Sequence, residues 1–325
     1  MSKEAPGLTL LTGASGYLGR HLLDSLLADG VPVRVLAHSD WKVEEFAERG
    51  VEVVLGDVTD PATLVGIADG VETAYHLVGG GTTGRVDPFE LNTAGTRHMV
   101  EACRGAGLRT FLYVSSSTVY GRQAGPVDET SEVAPRFDYA RSKVEAEQLL
   151  LAAAEEGFPA KIARLAAVYG PESPMFSVAA LKRGNMRLIG EGDNTITVIY
   201  IDDAIRALRA LAERGRPGEI VCLADDEPVQ FYTFHNTLAR LLGAPPVEKS
   251  SLRRVQVIVG LVRFMARISG RKPPLTEAVV EMSTLNVRMR NERMVEELGV
   301  ELHYPTYREG LARVAAYVQA AEEEE

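Results

Sequence analysis

Thr12-Gly13-Ala14-Ser15-Gly16-Tyr17-Leu18-Gly19 is the stretch on which the fold turns. Leu8 to Leu11 before it is a short apolar run that reads as a buried strand. His21 to Ala28 after it carries Leu22, Leu23, Leu26 and Leu27 on one helical face. Strand, glycine turn, helix is the setting in which closely spaced glycines carry chemistry. They let the backbone turn tightly and approach a diphosphate, which the free N–H groups and dipole of the helix N-terminus then hold. The spacing Gly-x-x-Gly-x-x-Gly is one residue longer in its first gap than the commonest dinucleotide fingerprint. An ordinary turn satisfies the same pattern, so the weight falls on what surrounds it.

At 325 residues the chain has room for one large α/β unit and a smaller lobe. A net charge of -10 argues against a nucleic-acid partner, which calls for a basic face. Neither cysteine, Cys103 or Cys222, has metal-ligand spacing around it, so no metal site is expected. Two cysteines also make no disulfide framework, and a reducing cytoplasm is the expected location. Met1 to Gly7 lacks the basic-then-apolar pattern of a signal peptide. No apolar run reaches the roughly 18 residues that a membrane span requires.

Val33 to Leu36 reads as the second strand, running into Ala37-His38-Ser39, with Asp40 late and Lys42 beyond it. A site selective for NAD usually carries an acidic residue at this strand's end. His38, Ser39 and Lys42 suit a 2′-phosphate instead, so NADP(H) is the expected cofactor and NAD(H) the alternative. A solvated loop without selectivity is the bland reading. Val51 to Leu55 is a third strand, aliphatic enough for a parallel sheet covered on both faces. It ends in Gly56-Asp57-Val58, where Asp57 is placed to accept from an adenine amino group or merely to cap a helix; Pro61 is expected to open that helix. Thr73 to Val78 is the fourth strand, followed by Gly79-Gly80-Gly81-Thr82-Thr83-Gly84, a loop able to lie flat against a cofactor or act as a lid. Asn92 and Gly95-Thr96 line the next helix, and Phe111 to Val114 is a fifth strand.

That fifth strand runs into Ser115-Ser116-Ser117 and then Val119-Tyr120-Gly121. Tyr139-Ala140-Arg141-Ser142-Lys143 opens a helix continuing through Ala154, and its Tyr and Lys, four apart, share a face. A lysine ammonium beside a phenol stabilises phenolate, and lowering a tyrosine from about 10 to about 7 takes roughly 4 kcal/mol. A tyrosine so tuned passes a proton to or from a substrate oxygen while hydride moves at the adjacent carbon.

With these residues in place the chain resembles the extended short-chain dehydrogenase/reductase family, also called the NAD-dependent epimerase/dehydratase family. The resemblance rests on Gly13-x-x-Gly16-x-x-Gly19, Gly56-Asp57, Asn92-x-x-Gly95-Thr96, Ser115 to Gly121, Tyr139-x-x-x-Lys143, Val168-Tyr169-Gly170-Pro171 and Tyr200-Ile201-Asp202-Asp203. It implies an α/β fold, a Rossmann-type doubly wound parallel sheet with a smaller, discontinuous C-terminal substrate lobe. The expected division is 1–171 for the NAD(P)-binding domain, with returns to the sheet around 198–225, and 172–197 plus 226–325 for the lobe. The resemblance makes Tyr139 the general acid/base, Ser116 its catalytic partner and Lys143 a holder of the nicotinamide ribose. Gly13, Ser15, Gly16, Tyr17, Leu18 and Gly19 then hold the diphosphate. Leu77, Val78 and Asn92 line the cleft, and Val168 lies near the nicotinamide amide. It further implies a homodimer through the helices carrying the tyrosine.

Substrate is the open question. Family members that act on sugar nucleotides tend to carry an arginine just before the strand leading to Asp202, where this chain has Ile196. Losing a bidentate anion clamp weakens a diphosphate site, although Arg183 and Arg187 stand nearby to compensate. Asp202-Asp203 reads as a helix cap and lobe anchor. Ser251 to Lys272 mixes apolar residues with Arg253, Arg254, Arg263, Arg267 and Arg271, as helices do that cover a greasy pocket or rest on a membrane surface; packing on its own lobe is the plainer reading. With Pro273-Pro274-Leu275, this region resembles the 3β-hydroxysteroid dehydrogenase and dihydroflavonol reductase branch. The expectation is an oxidoreductase acting on a secondary alcohol or ketone of a largely apolar small molecule. The rival is an epimerase or dehydratase of nucleotide sugars.

Overall fold

The structure, a computed structural model, describes residues 6–80, 86–269 and 277–323. Gly81-Thr82-Thr83-Gly84 of the glycine loop, Pro273-Pro274-Leu275 and the final Glu324-Glu325 lie outside the described residues.

Seven strands form one wholly parallel sheet: β1 Leu8–Thr12, β2 Val33–Ala37, β3 Glu52–Leu55, β4 Val71–His76, β5 Thr110–Ser116, β6 Ala160–Leu165 and β7 Ile220–Leu223. Their spatial order is 3-2-1-4-5-6-7. The order reverses at β1, and ligands in such sheets sit at that switch point, beyond the strands' carboxyl ends. Period-two alternation splits the core between the two faces. Leu11, Leu112 and Val114 lie on the face that shares one core with α1 (Tyr17–Ala28) and its Leu22, Leu23 and Leu26. Leu10, Phe111 and Tyr113 pack on α2 (Gly95–Cys103) and α3 (Asp138–Glu155) through Met99, Val100, Ala146 and Leu150.

Three expectations need correcting. The third strand is not covered on both faces: β3 is the sheet edge, and Glu52 and Leu55 are exposed. Lys161 to Val168 reads in the sequence as a single sixth strand, but β6 stops at Leu165, and Ala167–Tyr169 leaves the sheet to pair in parallel with Val198–Tyr200. The chain therefore returns to the main sheet only at β7, beside β6. Finally, Asp203 is no helix cap. Fully buried in the first turn of α4 (Ile201–Arg214), it accepts from the main-chain N–H of His303 at 3.0 Å and Tyr304 at 2.8 Å. It thereby anchors a segment a hundred residues away.

Outside the sheet, Thr195–Ile196 pairs antiparallel with Val229–Gln230. In the helix Leu252–Ser269, Val255 and Val259 are buried against Val280, while Val257 stays exposed. No helix among the described residues is long and apolar enough to cross a membrane.

Candidate active site

Because all seven strands are parallel, their carboxyl ends bring Gly13, Ala37, Gly56, Leu77 and Ser116 to one edge. Gly13 has φ +77°, and a Cβ there would stand 3.0–3.2 Å from the main chain of Leu77 and Val78. A Cβ on Gly19 would meet the Gly13 carbonyl oxygen at 2.1 Å, so α1 sits against the turn only with glycine there. The first intrahelical bond runs from Arg20 N–H to the Gly16 carbonyl. That leaves the N–H groups of Tyr17, Leu18 and Gly19 in the first turn for an anion.

A cleft of about 410 Å³ follows this edge. Gly13, Ser15, Gly16, His38, Ser39, Asp57, Val58, Leu77 and Val78 all line it, together with Trp41, Lys42 and Gly79. Tyr17, Leu18 and Gly19 do not line it. The Tyr17 ring turns toward His21, with centroids 5.1 Å apart, and toward Gly170. Val168 is likewise outside the cleft wall; it pairs with Ile199, and its carbonyl accepts from the Ser173 hydroxyl at 3.2 Å. Asp57 faces the cleft and also caps a turn, accepting from Thr59 N–H at 2.8 Å and Thr59 Oγ1 at 2.9 Å. The cap that opens the 3₁₀ turn Pro61–Leu64 is Asp60.

The fully buried Asn92 clamps the strand-end segment. It donates to the Gly80 carbonyl at 3.0 Å, accepts from Gly80 N–H at 3.1 Å, and donates to Ser142 Oγ at 2.9 Å. Ser142 in turn donates to the Tyr139 carbonyl at 2.8 Å, joining Gly80 to the helix of the candidate acid/base. The rest of that motif acts beside it. A Cβ on Gly95 would strike Val58 Cγ2 at 2.8 Å, so glycine here lets Val58 face the cleft. Thr96 donates to the Asn92 carbonyl at 2.6 Å, so its oxygen accepts from His76 Nε2–H, and His76 Nδ1 accepts from Thr12. Burial holds His76 neutral, with a pKa of about 3.

Past the cleft, Ser116, Tyr139 and Lys143 come together. Ser116 Oγ accepts from Thr118 N–H at 3.2 Å and Thr118 Oγ1 at 3.0 Å, and it is near enough to the Tyr139 phenol to pull its pKa down. Ser115 points the other way, as strand alternation requires, and donates to Glu147. Lys143 Nζ donates to the Val114 carbonyl at 2.9 Å and lies 5.9 Å from the Tyr139 ring centroid. A Cβ on Gly79 would reach that nitrogen at 2.9 Å, so lysine and cleft wall touch.

The electrostatics differ from the sequence expectation. Burial pushes the Tyr139 phenol up, and the Ser116 hydroxyl offsets this only in part. Burial also pulls Lys143 down to about 7, with Glu147 working against it. The ammonium is spent on the Val114 carbonyl rather than the phenol, so the protein's own groups do not make Tyr139 acidic.

One element was missed in the sequence. Glu147 lies one turn beyond Lys143, nine-tenths buried, and pairs with buried Arg164 at 2.7 Å. Arg164 also donates to the Tyr120 hydroxyl at 3.0 Å. Since Glu147 also takes the Ser115 proton, it braces β5, β6 and α3 together behind the site. The signal was available: Tyr139, Lys143 and Glu147 are spaced by fours on one helix face. On the substrate side, Ile196 is half-buried in its pairing with Val229, and Arg187 is engaged with Glu248 at 2.7 Å.

Comparison with known proteins agrees with this geometry. The chain is 30% identical over 292 residues to a 2-alkyl-3-oxoalkanoate reductase of Stenotrophomonas maltophilia, covering 84% of this chain and 88% of that protein. It is 27% identical over 305 residues to a 4-hydroxy-2-methyl-3-oxo-4-farnesyl-3,4-dihydroquinoline-1-oxide ketoreductase of Stigmatella aurantiaca, covering 90% and 91%. Its fold matches that of the dTDP-glucose 4,6-dehydratase DesIV of Streptomyces venezuelae, with TM-score 0.78, 22% identity and 98% of each chain covered. A sequence model of the NAD dependent epimerase/dehydratase family matches residues 9–224, and the chain belongs to that family.

Proposed function

We propose that this protein interconverts a ketone and a secondary alcohol on a largely apolar small molecule, with NADP(H) as its preferred cofactor. The observation that carries the proposal is the meeting of Ser116, Tyr139 and Lys143 beside the glycine cleft. The residues present fit a dinucleotide. Gly13 and Gly16 add no side chain to the cleft, and the first turn of α1 offers N–H groups for the diphosphate. Asp57 and Val58 suit adenine; His38, Ser39 and Lys42 suit a 2′-phosphate; Leu77, Val78 and Lys143 border the nicotinamide riboside. When bound, the nicotinamide supplies or takes up hydride at the substrate carbon. Ser116 holds the substrate oxygen, and Tyr139 gives it a proton during reduction or removes one during oxidation. Burial raises that phenol, so it enters reduction in the protonated form that donates to the substrate oxygen.

Two features support an apolar substrate over a nucleotide sugar. Ile196 stands where a diphosphate clamp is expected, and both relatives above are named as reductases of oxo compounds bearing alkyl or farnesyl groups. The test is incubation with NADPH and a panel of long-chain ketones and sugar nucleotides. Loss of one NADPH per ketone consumed supports the proposal. Conversion of a sugar nucleotide without net cofactor change overturns it. Lys42→Ala is expected to weaken NADPH binding about tenfold and to leave NADH binding nearly unchanged.

A further inference from the structure

Trp41 is the only tryptophan in the chain. It stands in the 3₁₀ turn Asp40–Lys42 just beyond β2, at the mouth of the cleft. Its side chain is among the most exposed large apolar groups described, at 68%. An indole left in water beside an apolar cleft is costly to keep unless something covers it. The Lys42 ammonium lies over the ring, 4.9 Å from its centroid, and Glu45 holds that ammonium at 3.3 Å. Phe46, almost fully buried, seats the turn beneath them. The chain thus presents a flat ring and a cation side by side.

The geometry also says what would meet them. The diphosphate place is at Gly13 and Gly16, and the reacting end lies toward Ser116 and Tyr139, beyond β4. The opposite end therefore extends over β2 and β3, between Trp41 and Val58. Every purine has a π-face, and an indole stacks on it irrespective of hydrogen-bond pattern. We infer that Trp41 is the adenine-stacking wall of the nucleotide site, with the adjacent Lys42 cation exchanging its Glu45 partner and its place over the ring for the ribose phosphate. The inference rests on the dinucleotide reading above and adds to it a binding residue from this chain's own sequence.

Because Trp41 is the sole tryptophan, its fluorescence reports on one place. The protein is titrated with NADPH, with 2′,5′-ADP (the adenosine end alone) and with nicotinamide mononucleotide, each followed by indole emission and by calorimetry. NADPH and 2′,5′-ADP are expected to change the emission at their calorimetric affinities, and the mononucleotide is not. Trp41→Ala is expected to weaken NADPH and 2′,5′-ADP about tenfold, or ~1.4 kcal/mol, with most of the loss restored in Trp41→Phe. The exposed position predicts unchanged thermal unfolding of the free variants, which shows that they fold. NADPH binding with unaltered emission, or with equal affinity in Trp41→Ala, overturns the stacking role and leaves the dinucleotide reading intact. Absence of any dinucleotide binding to the wild type overturns both.

Discussion

Replacing Lys143 with methionine is expected to stabilise the protein at neutral pH while disabling its site. Lys143 is only 3% exposed, and burial lowers its pKa from 10.5 to about 7. A base whose folded pKa lies below its unfolded value makes the unfolded chain the better proton binder between those two values. Stability therefore rises with pH across that window, and the full cost of the charge is felt below about 7. The cost is about 4 kcal/mol at pH 7 and about 1 kcal/mol at pH 10. Methionine removes the charge at similar length but strips the Val114 carbonyl of its donor, a loss of about 1–3 kcal/mol at every pH. The balance favours the variant by about 1–3 kcal/mol near neutrality. It shifts about 3 kcal/mol toward the wild type by pH 10. Urea unfolding of both proteins across this range measures the difference directly. A gap that stays constant with pH would refute the reasoning, because only the buried ammonium makes it move.

Tyr139→Phe is expected to lower turnover by about 10²–10⁴-fold while leaving NADPH affinity unchanged by calorimetry; equal loss of binding would point to a structural role. Glu147→Gln leaves the Arg164 guanidinium buried without its counter-ion and should cost about 3–5 kcal/mol in denaturant unfolding. The double variant Glu147→Gln/Arg164→Met should recover most of that loss, and a double variant as unstable as the single one would show that the pair itself holds the brace. Asp203→Asn, read by the same unfolding experiment, should cost about 1–3 kcal/mol, because one acceptor oxygen cannot serve His303, Tyr304 and Arg206 alike.

The glycine turn and the Tyr139–Lys143 pair were legible because both are local patterns. Glycine spacing reports where a Cβ would collide, and a Tyr and Lys four apart must share a helix face. Edge and centre were not legible. Glu52 to Leu55 looks like an interior strand, yet nothing local says that no eighth strand lies beyond it. Lys161 to Val168 likewise reads as one strand, and only the pairing with Val198–Tyr200 reveals the break. Asn92 was visible as a motif residue, but its partners Gly80 and Ser142 are 12 and 50 positions away.

Sequence by itself determined the parallel α/β order, the glycine cradle at the end of β1 and the choice of Ser116 over its neighbours. The cradle follows from glycine spacing and apolar periodicity, whereas the sheet architecture and the choice of Ser116 came from the family resemblance. Tertiary structure alone decided the charges. Whether a phenol is made acidic or kept protonated depends on burial and on where the nearest ammonium points. Here Lys143 points at the Val114 carbonyl, a partner 29 residues away that no spacing rule names. The exposed indole of Trp41 is of the same kind: its identity is written in the chain, but its place beside Val58 exists only once β2 and β3 lie side by side.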